Sequence, residues 1–108
     1  MATSLTVDIT ADDGTLRFAV TGEIDLSNIA AFRQALADAG AEAARRAMPL
    51  VVDMAGVAYL DSAAINALYA SADHIATLIA PPLLMTTLRV SGLAEIVAVH
   101  AAASDANP

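Results

Sequence analysis

Two stretches near the N-terminus alternate strictly between apolar and polar residues. Leu5, Val7 and Ile9 are interleaved with Thr6, Asp8 and Thr10, and Leu16, Phe18 and Val20 with Arg17, Ala19 and Thr21. A period of two places one side chain set on each face of a strand. Asp12-Asp13-Gly14 between them has the composition of a tight turn, so a β-hairpin is predicted. After Gly22-Glu23-Ile24-Asp25 the period lengthens. Ile29, Phe32, Leu36, Ala39 and Ala43 then fall on one side of a helix, with Arg33, Gln34 and Asp38 elsewhere on it. Asp25 or Ser27 is the expected cap, and with Asp25 in that role Ile24 and Ile29 form a hydrophobic staple. Gly40 weakens the middle of this helix, which either ends there or runs on through Arg45-Arg46. Met48-Pro49 stops it.

Leu50-Val51-Val52 reads as a short buried strand closed by Asp53, with Gly56 loosening the backbone beyond it. Val57, Tyr59 and Leu60 lead to Asp61-Ser62, residue types that cap helices. Ile65, Leu68, Tyr69 and Ala72 follow at helical spacing, to an end near Asp73. Ile75 to Ala80 is another buried strand. Pro82 suits the first position of a third helix, lined by Leu83, Leu84, Leu88 and Val90 and ended by Ser91-Gly92. Ile96 to Val99 completes the sheet as an edge strand. Residues 101–108 lack bulky apolar side chains and are expected to form a disordered tail, leaving residues 1–100 as a single domain. The fold class is therefore α/β, one mixed sheet of four to five strands flanked by helices. Its strand-to-helix corners should line up along one edge, where such sheets place their sites. Two corners carry acids and hydroxyls, at 23–28 and 53–62, while Pro81-Pro82 is apolar.

Composition narrows the function. The 108 residues hold one core, and with two Phe, two Tyr and no Trp that core must be built from Leu, Ile and Val. The net charge is −7 and all the basic residues are arginines, so no basic stripe exists for nucleic acid or an anionic membrane. Without cysteine there is neither disulfide nor thiolate metal site. The opening MATSLTVDIT has no basic start or apolar run, and no stretch is long and apolar enough to span a bilayer. A cytoplasmic protein is expected.

Enzymatic readings find little support. Asp25, Asp53 and Asp61 are candidate metal ligands, yet carboxylates at the corners of an acidic protein are more often caps. Ser62 with His74 or His100 lacks the Gly-x-Ser-x-Gly elbow of a hydrolase, and no phosphate-binding loop is present. Neither catalysis, a metal nor a cofactor is expected. Asp61-Ser62 remains the notable pair, an acid and a hydroxyl at a helix mouth. There, unpaired N–H groups and the dipole favour negative charge.

Gly22-Glu23-Ile24-Asp25, Val52-Asp53-Met54-x-x-Val57, Asp61-Ser62 and Ser91-Gly92-Leu93 together resemble, in order and spacing, the STAS domain and most of all its bacterial anti-sigma-factor antagonists. The resemblance covers about residues 5 to 99. It implies a small α/β domain that binds an anti-sigma factor with serine kinase activity and is released by phosphorylation of one serine, here Ser62. Asp25 matches the family's aspartate near that site. The implied contact surface is Glu23, Asp25, Ser27, Asp61, Ser62 and Ala63. This chain departs from the family in reading Asp61-Ser62-Ala63-Ala64 where Asp-Ser-Ser-Gly or Asp-Ser-Thr-Gly is common. The segment from Ala63 to Ala80 is shorter, and Leu83-Leu84-Met85-Thr86-Thr87 is uncharged. These departures suit the alternative of a constitutive STAS scaffold, in a signalling assembly or as an accessory subunit of a membrane transport complex.

Overall fold

The computed structural model describes residues 5–102. Five strands form one sheet in the order β1 (Leu5–Asp12), β2 (Thr15–Ile24), β3 (Leu50–Leu60), β4 (Thr77–Ala80) and β5 (Ala98–Ala101). β1 and β2 are antiparallel, and the remaining neighbours are parallel. Between the parallel strands lie α1 (Ile29–Arg46), α2 (Ser62–Ala70) and α3 (Pro82–Val90). Among the described residues no helix is long and apolar enough to cross a membrane.

The hairpin forms as expected. Asp12 pairs with Thr15, and the two residues between them, Asp13 and Gly14, both take positive φ (52° and 76°), which matches the twist of the flanking strands. From β2 onward alternate side chains sink into the core: Leu16, Phe18 and Val20 on β2, Leu50, Val52 and Met54 on β3, Leu78 and Ala80 on β4. α1 covers them with Phe32, Leu36, Ala39 and Ala43, and α2 with Ala64, Ala67 and Leu68. α1 runs through Gly40 to Arg46. Its last turn is charge-matched, because Arg45 and Arg46 each reach Glu42 Oε2 at 2.6 Å. The Arg45 hydrogen bond, aided by the Arg46 charge, holds the Glu42 carboxyl below its usual range.

Several expectations are corrected. The cap of α1 is Asn28, not Asp25 or Ser27, so Ile29 is the first helical residue and the staple geometry does not arise. β3 does not close at Asp53 but continues to Leu60 along β2, with register shifts between Ala19 and Thr21 and between Gly22 and Glu23. Asp53 instead accepts the Ala55 N–H at 2.9 Å and lies 3.5 Å from Arg17. β4 pairs with β3 only as far as Asp53↔Ile79, so the Pro81-Pro82 corner is set back from the end of β3. α2 ends at Ala70 and a 3-10 turn follows at Ala72–His74. On α3 only Leu88 is fully buried, whereas Leu83 and Val90 face solvent. A 3-10 turn at Leu93–Glu95 delays β5 to Ala98, leaving Ile96 exposed. Of the expected tail, Ala101 belongs to β5 and the Ala102 N–H reaches the Ala80 carbonyl at 2.7 Å; residues 103–108 lie outside the described residues.

Candidate functional site

Parallel pairing of β2 with β3 puts Ile24 opposite Leu60, so the chain leaves both strands side by side. A main-chain bond fixes the two exits to each other, from the Asp61 N–H to the Ile24 carbonyl at 3.2 Å. The β2–α1 turn and the mouth of α2 are therefore one structural unit.

At the mouth of α2, Asp61 is the N-cap, in extended conformation. Its Oδ1 accepts the N–H groups of Ala63 at 3.0 Å and Ala64 at 3.2 Å. Its carbonyl accepts those of Ala64 at 3.1 Å and Ile65 at 3.2 Å. Three of the donors at this mouth, the N–H groups of Ala63, Ala64 and Ile65, are thus taken by Asp61 itself. Ser62, the first residue of the helix, is exposed, and Ala63 is half-buried. Removing the cap should show directly. Asp61→Ala is expected to cost about 1 kcal/mol and Asp61→Asn, which keeps an acceptor, only a few tenths. Urea denaturation midpoints check this; equal losses for the two variants would mean that the charge, not the hydrogen bonds, matters here.

The β2–α1 turn is bound from within. Asp25 Oδ1 accepts the Ser27 N–H at 2.9 Å and the Ser27 hydroxyl at 2.6 Å. Asn28 Oδ1 accepts the Asp25 N–H at 3.0 Å, while its Nδ2 donates to the Glu23 carbonyl at 2.8 Å. Such side chain-to-backbone bonds hold a loop in one shape. Leu26, 77% exposed, projects from this braced turn. Asn28 is the N-cap of α1 by position, marked in the sequence as an Asn immediately before the first apolar helical residue, but its side chain makes no cap hydrogen bond and braces the turn instead.

The structure places the remaining candidates elsewhere. Asp53 pairs in register with Ala19, well short of the Ile24–Leu60 level, and is engaged by Arg17. It therefore does not join Asp25 and Asp61, and the described residues include no group of three or more acids and histidines placed to hold a metal. His74 lies beyond the far end of α2, beside Gly40 of α1. His100 sits on β5 opposite Ile79, at a shallow hollow of about 400 Å³ that it shares with Arg17 and Asp53. Neither histidine accompanies Ser62.

Known structures share this fold. An anti-sigma factor antagonist from Mycobacterium paratuberculosis is 25% identical and superimposes with a TM-score of 0.78, over 90% of this chain and 86% of that one. The anti-sigma factor antagonist SpoIIAA in its unphosphorylated form shares the fold with a TM-score of 0.66 at 13% identity, over 94% and 90% of the two chains. An uncharacterized Shewanella loihica protein with a SpoIIAA-like fold gives 0.58 at 11% identity, over 96% and 89%. No curated protein sequence matches significantly. The family model described as "Mlab, STAS domain" matches residues 6–98, nearly the whole chain. The braced pair of corners on a mixed five-stranded sheet is thus found in a chain that belongs to the STAS domain family.

Proposed function

We propose that this chain is a regulatory protein-binding domain, an antagonist of an anti-sigma factor that has serine kinase activity. The partner docks on Glu23, Asp25, Ser27, Asp61, Ser62 and Ala63, and phosphorylation of Ser62 releases it. The observation that carries this reading is the exposed Ser62 directly after the capping Asp61, on an α2 mouth tied to the braced Asp25 turn. Similarity to anti-sigma factor antagonists supports it. The chain acts as a kinase substrate rather than an enzyme, needs no cofactor, and works in the cytoplasm.

The switch follows from charge. A phosphate adds about −1.5 to −2 at neutral pH. The first-turn donors of Ala63, Ala64 and Ile65 already serve Asp61. The phosphate therefore gains no new partner among them, meets the neighbouring carboxylate, and stays in water. A change in fold stability of roughly 1 kcal/mol or less is expected. A partner lying flat on this corner would have to desolvate the dianion, so its affinity should fall by at least about tenfold.

The same occupied donors favour a second reading, in which the chain is a constitutive scaffold in a signalling assembly or an accessory subunit of a membrane transport complex, and Ser62 only begins the helix. One experiment separates the two. Incubation with the cognate anti-sigma kinase and ATP should add one phosphate, which Ser62→Ala abolishes, with little change in denaturation midpoint and a loss of partner affinity. Binding without phosphate transfer selects the scaffold. Stoichiometric transfer to Ser27 or Ser71 rejects Ser62 as the switch.

A further inference from the structure

The six residues of the docking surface are acids, hydroxyls and one alanine, so that surface has no large apolar side chain of its own. Interfaces draw most of their affinity from a few large side chains near the centre, while rim charges contribute little. Two such side chains stand exposed on the joined corners, Leu26 (77%) and Tyr59 (49%).

Both are held by the register and the turn. Tyr59 pairs with Glu23, one residue before the Ile24–Leu60 pair, and Leu26 follows that pair by two residues. Ile24 and Leu60 are buried in the one core cluster to which α1, α2 and α3 all contribute. Tyr59, adjacent to Leu60 on an extended strand, therefore points to the opposite side of the sheet. Leu26 is the apex of a turn closed by the Ser27 N–H on Asp25 Oδ1 at 2.9 Å. The Ser27 hydroxyl on the same oxygen and the two Asn28 side-chain bonds hold that turn from either side. A side chain presented by a fixed backbone loses less freedom when a partner closes over it.

We infer that Leu26 and Tyr59 are the apolar anchors of the docking surface, and that the partner meets them with an apolar socket rimmed by basic side chains. This rests on the reading of the joined corners as the docking site of an anti-sigma kinase. The basic rim follows from charge. Residues 23–28 and 59–65 carry Glu23, Asp25 and Asp61 and no arginine, in a chain without lysine and of net charge −7. An acidic rim around two exposed apolar groups repels a second acidic surface and favours a basic one.

The two parts of the surface act on different rates. Charge complementarity speeds association and is screened by salt, whereas desolvated anchors slow dissociation. Binding kinetics of the full chain with the cognate anti-sigma kinase, at low and high sodium chloride, separate them. Leu26→Ala and Tyr59→Ala should each weaken binding at least about tenfold through faster dissociation, with the salt dependence of association kept. Glu23→Gln should instead slow association and reduce its salt dependence. Leu83→Ala, which removes a more exposed side chain on α3, should bind as the unaltered chain does. Denaturation midpoints should stay unchanged for Leu26→Ala and Leu83→Ala, since both side chains face solvent. Unaltered affinity in Leu26→Ala or Tyr59→Ala, while the kinase still binds and phosphorylates the chain, would overturn the anchors and leave the docking site standing. An equal loss in Leu83→Ala would overturn them too, as a sign of general apolar adhesion. A kinase that neither binds nor phosphorylates the unaltered chain would overturn both the docking site and its anchors.

Discussion

Phe32→Ala should destabilise the domain by about 3–5 kcal/mol, as deletion of a buried aromatic ring does when its surroundings cannot close over the gap. That is a large share of the roughly 5–15 kcal/mol that holds a domain of this kind together. Phe32 is 0% exposed and its ring meets that of Phe18 on β2 with centroids 6.3 Å apart and planes inclined at 58°. These are the only two phenylalanines in the chain, and no other large ring is available to fill the space between α1 and the sheet. The neighbours on the same face of α1 are smaller: Leu36, then Ala39 and Ala43. Phe32 is thus the main anchor near the start of α1, one turn from the Asn28 that braces the Asp25 turn. Urea denaturation of Phe32→Ala, Phe32→Leu and Arg33→Ala tests the assignment. Leucine keeps most of the volume and should cost less than about 1.5 kcal/mol. The exposed Arg33 should change stability by no more than about 0.5 kcal/mol. If Phe32→Ala proves no worse than Arg33→Ala, the anchoring role is wrong.

What could be read from the chain beforehand divides by the range of the interactions involved. The hairpin was legible because alternation and Asp13-Gly14 are local signals, and the observed register pairs Asp12 with Thr15 as a two-residue turn demands. The first residue of α3 was legible for the same reason, since Pro82 lacks the N–H that the first turn leaves unpaired anyway. The Asp61-Ser62 corner was found through capping chemistry, and the sheet joins it to the Asp25 corner. That those donors are already used by Asp61 depends on where one carboxylate turns, which no residue pattern specifies.

The misses have non-local causes. The segment from Asp53 to Ala58 shows no clean alternation, because its pairing with β2 is interrupted by register shifts that move the buried positions from Leu50, Val52 and Met54 to Val57 and Leu60. On α3, apolar residues lie at several angles around the helix, so periodicity does not say which side is inward. Packing chose Leu88, with Leu84 and Met85 partly buried, over Leu83 and Val90. The last strand was displaced by the 3-10 turn after Gly92, although the β-branched content of Ile96 to Val99 favoured an earlier start.

Gly56 pairs with Thr21 directly after the first register shift between β2 and β3, and Gly56→Ala should cost about 1–3 kcal/mol as an overpacking change. A Cβ at this position would stand 2.6 Å from Thr21 Cγ2 and 3.2 Å from Thr21 Cβ. The first distance is too short for any pair of carbon atoms, so Thr21 must rotate or the strands must part. Rotation alone leaves the tight Cβ contact, and Thr21, being β-branched, has few alternative rotamers. Parting the strands acts where Thr21 pairs with Gly56 and Gly22 with Val57. It would therefore disturb the pairing that continues to Ile24 and Leu60 and sets the two functional corners side by side. A double-mutant cycle isolates the contact. Thr21→Ala alone should change little, since Thr21 is exposed, and in combination it should return most of what Gly56→Ala removed, because the methyl at 2.6 Å is gone. A cost for Gly56→Ala that is unchanged in the Thr21→Ala background would show that the glycine serves backbone conformation rather than the approach of β2 to β3.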